Sequence, residues 1–182
     1  MARTPARRTP AGKAAAPGRP EARASVRRYW LFKSEPDVYG WAHLERDGRT
    51  FWDGVRNYQA RNLLRDEIRP GDGVLFYHSN ADPTAVVGVA RVVEAGAPDP
   101  SAFDPDSAYH DPDSSPDDPR WFGVEIAPVQ GFARPVTRDD LKACAALGQM
   151  MVLRRGARLS VQPVTAAEWR AVLKLAGASV DW

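Results

Sequence analysis

The sequence predicts an α+β domain: a small, curled, largely antiparallel sheet or pseudo-barrel with helices packed outside it. Three observations predict this. Apolar runs of strand length recur at 29–33, 74–79, 85–94 and 121–129. Helical segments opened by capping signatures lie among them. The strands and helices do not alternate as regular βαβ units, which argues against a doubly wound parallel sheet. At 182 residues, one domain with its own core is the expected organisation.

Residues 1–26 are Ala, Arg, Pro, Thr and Gly with hardly an apolar side chain. They cannot bury enough surface to offset their ordering entropy and are expected to be a disordered basic tail. The ordered domain is placed at 27–178. It opens on the aromatic strand Tyr29-Trp30-Leu31-Phe32-Lys33, which Ser34-Glu35-Pro36-Asp37 ends because Pro36 cannot continue a ladder. Trp41 to Arg46 reads as a helical turn stopped by Asp47-Gly48, and Thr50 to Asn57 as a loop or short strand. Asn57 suits an N-cap for a helix from about Tyr58 to Ile68, with Leu63, Leu64 and Ile68 inward. After the turn Pro70-Gly71-Asp72-Gly73, the strands Val74–Ser79 and Ala85–Glu94 form an antiparallel pair. Gly88 in the second marks a bulge or a close backbone approach.

A long loop is expected from Ala95 to Pro119, rich in Pro and carrying seven Asp. A loop of that length is usually functional or disordered. Trp121 to Val129 is the next strand. Thr137-Arg138-Asp139-Asp140 and Thr165-Ala166-Ala167-Glu168 are capping boxes that open two helices. The second helix has an apolar stripe of Trp169, Val172, Leu173 and Leu175 and ends at Gly177. A short strand at Arg158–Val161, stopped near Pro163, lies between them.

Charge is unevenly spread. Residues 1–28 hold eight basic side chains and one acid, hence +7, which leaves −5 of the total +2 for the rest. An acidic body is poorly suited to gripping many phosphates without preference, so any nucleic acid is expected to be met at a local site. With a single cysteine, Cys144, no disulfide framework can form within the chain, and a reducing compartment is expected. No apolar run has the length to span a bilayer and the basic N-terminus lacks the apolar core of a secretory signal, so cytoplasm is the expected location and no membrane partner is expected.

The common catalytic chemistries find little footing. His43, His78, His110 and Cys144 show no CxxC or HxxxH spacing, so no metal site is expected. His110 with Asp111 or Asp113 is outweighed by the reading of a solvated loop whose aspartates cap turns. No phosphate-binding glycine fingerprint is present, and Gly71-Asp72-Gly73 is a turn. Cys144 falls among alanines in a predicted helix with no base beside it and reads as a buried structural residue. Ser34 and Ser79 stand in no nucleophile elbow. More telling is the placement of aromatics beside polar loop residues: Trp52 before Asp53-Gly54-Val55-Arg56-Asn57, Tyr77-His78 before Ser79-Asn80, and Tyr109-His110 in the long loop. A planar ring held edge-on by polar groups and face-on by aromatics needs such a mixture, although packing alone is the ordinary use of any one aromatic.

Five segments together resemble the EVE family: Tyr29 to Pro36, Trp52 to Asn62, Val74 to Asn80, Ser114-Ser115-Pro116 with Pro119-Arg120-Trp121-Phe122, and Arg158 to Val164. They stand in the family's order and span about residues 28–176. The resemblance implies a PUA-like fold related to YTH domains. It implies a reader of modified bases, chiefly modified cytosine in DNA or RNA, that is a binding module without cofactor and not an enzyme. Lys33-Ser34-Glu35 matches the place where YTH domains hydrogen-bond the base edge. Arg56 stands where those domains have a pocket tryptophan, so their aromatic cage is not copied, and Trp52 or Tyr109 is expected to supply the stacking face.

On this reading Ser34, Glu35 and Asn57 contact the edge of an extruded base, and the region of His78, Ser79 and Asn80 senses the added group. Arg56 contacts a phosphate or carbonyl. The competing structural reading pairs Glu35 with Arg56 and puts Trp52 in the core. Two other functions stand beside the reader. One is a nucleoside-processing enzyme using Lys33, Glu35 and His78 as acid–base groups. The other is a protein-interaction module using the Asp-rich loop or the tail.

Overall fold

The structure is a computed structural model and describes residues 26–180, so the basic tail, apart from Val26, lies outside the described residues. Six strands form one mixed sheet: β1 (Tyr29–Ser34), β2 (Thr50–Trp52), β3 (Gly73–His78), β4 (Ala85–Pro98), β5 (Phe122–Thr137) and β6 (Val161–Val164). Their order is β2-β5-β4-β3-β1-β6, with β1 parallel to β3 and the other four pairings antiparallel. The sheet is not closed into a barrel. Parallel pairing of β1 and β3 requires a crossover between them. It is made by α1 (Pro36–Tyr39), α2 (Trp41–Asp47), β2 and α3 (Tyr58–Asn62).

Alternation along the central strands gives each face its own core. Trp30, Phe32, Val74 and Phe76 point to the side covered by α2, α3 and the turn that follows α3, where Trp41, Leu44, Leu64 and Ile68 meet them. Leu31, Leu75, Val86 and Val89 point to the side covered by α4 (Arg138–Ala143) and α5 (Ala166–Ala176), which contribute Leu141, Trp169 and Val172. Both predicted capping boxes form, at Thr137 with Asp140 and at Thr165 with Glu168. Gly88 does what its position suggested. A Cβ there would lie 2.8 Å from the Trp41 ring, and the β3–β4 register slips beside it.

Several boundaries differ from expectation. β4 runs on to Pro98 and β5 continues to Thr137, so the long loop begins only at Asp99. Beyond Ile126, β5 pairs with β4 alone, and a strand with one open side tolerates prolines such as Pro128 and Pro135. β6 starts where a strand was expected to stop and includes Pro163, because it is an edge strand paired only with β1. The helix after Asn57 is α only to Asn62 and continues as a π turn over Leu63–Glu67. Cys144 is not inside a helix; it is the half-buried residue closing α4. Leu175 is exposed, since six residues after Trp169 it falls off the stripe that Trp169, Val172, Leu173 and Ala176 make.

Candidate functional site

The parallel register of β1 and β3 brings Ser34 opposite His78, so both strands end at the same edge of the sheet. The chain is stitched there: the Ser79 amide donates to the Ser34 carbonyl at 2.8 Å, and Ser34 Oγ donates to the Tyr39 carbonyl at 2.6 Å. Glu35 is extended and precedes Pro36, the first residue of α1. Asn80, with φ of 50°, donates its amide to the Glu35 carboxylate at 3.2 Å. This is one wall of an open depression of about 740 Å³.

The opposite wall is the segment leaving β2. Gly54 has φ of 68°, and a Cβ on it would lie 2.9 Å from the Tyr109 ring, so glycine is required both by the turn and by the ring above it. The wall is anchored from below by Asp99, whose residue is fully buried at the end of β4. Its carboxylate accepts from the Gly54 amide at 3.0 Å, from the Arg56 guanidinium at 2.7 Å, and from the Ser101 amide and hydroxyl. Arg56 also donates to Ser101 Oγ and to the Tyr109 carbonyl, and lies over the rings of Tyr109 and Trp121. One buried carboxylate thereby fixes the loop, the arginine and the aromatic together.

Lys33, Ser34, Glu35 and Ser79 from the first wall, and Trp52, Arg56, Asn57 and Tyr109 from the second, line the depression. His78 and Asn80 do not. His78 sits behind the wall, where its Nε2 accepts the Trp41 amide at 3.0 Å and burial pushes its pKa down. Trp52 is only 9% exposed and packs against Phe32 and Phe76, so it is floor and core more than a stacking face. Tyr109, at 44%, is the exposed ring. Arg56 pairs with Asp99, not Glu35, and its guanidinium is committed within the protein. Asn57 is the predicted N-cap, its Oδ1 accepting the Ala60 amide at 3.0 Å, which leaves its amide nitrogen for other partners.

Sequence reasoning passed over Asp53, Tyr39, Phe51, Arg158 and Ser160, which also line the depression. Asp53 and Arg158 stood inside the quoted segments; for Asp53 a charged residue beside the motif glycine Gly54 was the signal available. The Asp53 carboxyl is raised above the ordinary aspartate value by partial burial and then by the neighbouring Asp99, against its own backbone hydrogen bond and Arg56. The Lys33 ammonium is lowered by burial and by Arg138, and its Nζ donates to the Ala157 carbonyl at 2.7 Å. The Asp-rich loop is tied down: Asp111 accepts from Arg120 and from the Trp121 indole, while Asp104 and Asp111 each cap a turn. Asp99 does not belong with these surface aspartates, because it is the buried anchor.

Comparison with known proteins agrees with this architecture. The model of the EVE domain matches residues 28–175. Thymocyte nuclear protein 1 of Homo sapiens is 36% identical over 165 residues, covering 81% of this chain and 73% of that protein. A crystal structure of a Pseudomonas putida protein is 44% identical with a TM-score of 0.78, covering 81% of this chain and 99% of that one. Human THYN1 protein, crystallised in complex with DNA containing 5-methylcytosine, is 33% identical with a TM-score of 0.75, covering 84% of this chain and 99% of that one.

Proposed function

This chain belongs to the EVE domain family, and from that premise we propose that it reads one modified nucleobase, a modified cytosine, extruded from a nucleic-acid strand. The observation that carries the reading is the depression at the end of β1. An exposed aromatic residue, Tyr109, lines it together with the Glu35 and Asp53 carboxylates and the Asn57 amide. The exocyclic amine of cytosine donates, and carboxylates are its natural acceptors. The remaining acceptors on the base edge call for a donor, which the Asn57 amide nitrogen supplies. A volume of about 740 Å³ is within the range of small-ligand sites. Human THYN1, a relative over most of the domain, is seen with 5-methylcytosine DNA.

Energetics favour a strand that is already open. Stacking on an aromatic ring contributes about 1–3 kcal/mol per base, whereas extrusion from a duplex costs a few kcal/mol. Single-stranded or mismatched substrates should therefore bind more tightly than intact duplex. Arg56 shapes the wall and does not touch phosphate, because its donors are spent on Asp99, Ser101 and Tyr109. Binding is favoured over turnover on a specific ground. Of the acid–base groups an enzyme would use, His78 lies behind the wall on the Trp41 amide and Lys33 is held at a backbone carbonyl.

The test is a titration of the full chain against matched oligonucleotides carrying cytosine, 5-methylcytosine, hydroxymethylcytosine or methyladenine. A preference for one modified cytosine that is lost in Asn57→Asp is expected. That substitution keeps the capping oxygen but replaces the amide donor with a charged acceptor. The result therefore lies in the loss of preference relative to the unmodified strand, not in the loss of affinity common to all strands. Asn57→Ala would also remove the cap. Equal binding to all four strands, or release of a processed nucleoside, would overturn the proposal.

A further inference from the structure

Beside the depression runs a second, shallower groove of about 300 Å³, which shares Lys33, Ser79 and Arg158 with it. Its charged lining is Lys33, Arg138, Arg154 and Arg158, and no acidic side chain lines it. The four come from separate places: the end of β1, the first residue of α4, and the segment leading into β6. Such a cluster stands out on a body that is −5 outside residues 1–28. Elsewhere Arg28, Arg46, Arg56, Arg65, Arg120 and Arg134 each face a carboxylate. Among the described residues none of the four groove cations forms such an ion pair, and Arg138 acts on Asp139 only through its field.

Three of the four are instead oriented by neutral carbonyls. Lys33 donates to Ala157 at 2.7 Å, Arg138 to Leu153 at 3.3 Å and Arg154 to Gln149 at 3.3 Å. Bonds of that kind aim a side chain and leave its charge uncompensated. Asp139, next to Arg138 in the chain, is taken by Lys142 at 2.8 Å. The lowered Lys33 value reports the same field, since Arg138 contributes to it after burial.

We propose that this groove seats the backbone phosphate adjacent to the base held in the depression, with Arg138 and Arg154 as its outer contacts and Lys33 and Arg158 bridging the two. The proposal rests on the reading of the depression as a base pocket. The shared wall is what selects a strand over a free anion. A phosphodiester attached to a base in the larger cavity must leave along the surface, and the adjoining cationic groove continues the same cavity wall.

The experiment uses the full chain and a single strand carrying one 5-methylcytosine, titrated across salt concentrations. Arg154→Gln should weaken binding several-fold on modified and unmodified strands alike. It should also flatten the slope of log K against log salt by about 0.7, the value of one single-strand phosphate contact. Arg170→Gln, an equal charge change on the exposed face of α5, should leave the slope unchanged. Arg138→Lys should retain the slope and Arg138→Gln flatten it as Arg154→Gln does, with unfolding midpoints measured to separate binding from folding. A strand whose phosphate next to the modified base is a neutral methylphosphonate should bind the native protein at least as weakly as Arg154→Gln binds the normal strand, and Arg154→Gln should lose nothing further on it.

An unchanged slope in Arg154→Gln, or an equal loss in Arg170→Gln, would overturn the groove and indicate only a diffuse field. Competition by inorganic phosphate at concentrations that match the strand would do the same, by making the site an ion site. If the native protein shows no preference among bases, the base-pocket reading fails. The slope and the methylphosphonate strand still decide the groove.

Discussion

The two walls of the depression are built on different principles. The wall after β2 is held by a neutralised, buried ion pair: Asp99 satisfies Gly54, Arg56 and Ser101, and Arg56 in turn supports Tyr109. The wall formed by β1 and the segment before β6 carries the half-buried Lys33 and the exposed Arg158, neither of them in an ion pair with a carboxylate. The difference teaches a division of labour. A fixed shape is needed where a base edge and a ring must match to fractions of an ångström. Uncompensated charge is useful where a phosphate only has to be attracted and aligned. Substitutions in the wall after β2 should therefore change stability and selectivity, and those at Lys33 and Arg158 should change salt dependence.

The sharpest way to break that contrast is Asp99→Ala. It removes an acceptor used by four donors and leaves the partly buried Arg56 guanidinium unpaired, a loss typically of about 3–5 kcal/mol. Urea unfolding should show it directly, and binding should fail with it. Tyr109→Ala comes next. The exposed ring contributes little to folding, so the expected effect is a loss of about 1–3 kcal/mol in affinity with a nearly unchanged unfolding midpoint. A large drop in stability instead would make Tyr109 structural.

Gly54→Ala should cost about 1–2 kcal/mol of stability from its left-handed backbone, and more if the Tyr109 ring cannot move away. Because the added methyl would lie 2.9 Å from that ring, affinity should fall as well. The smallest effect concerns His78. Burial lowers its pKa in the folded state, so the unfolded chain binds the proton more readily. Its contribution to stability is present above the ordinary histidine value and is lost as pH falls through that value and then through the folded one. Thermal melts from pH 7.5 to 5 should show a decline that His78→Gln reduces, since the amide oxygen can still accept the Trp41 amide.

The fold was legible where the code is local. β1, β3, the Asn57 cap and the two capping boxes are each written in a few adjacent residues, and each formed. What was not legible depends on neighbours. Whether Pro128, Pro135 or Pro163 ends a strand depends on which side of that strand is paired, and nothing near those residues states it. The parallel partnership of β1 with β3 is likewise a tertiary fact. In the site, the motif segments located most of the lining, but burial reassigned the roles. Trp52 became floor, Arg56 became a strut, and His78 moved behind the wall. Asp99 was hidden among the surface aspartates of its loop, because composition cannot distinguish a turn-capping carboxylate from one that holds a buried arginine.

The most direct test is a crystal structure of the full chain with a short single strand containing one 5-methylcytosine. The predicted result is the methylated ring lying in the depression against Tyr109, with its exocyclic amine within hydrogen-bond reach of Glu35 or Asp53. A strand bound with all its bases outside the depression would contradict the account.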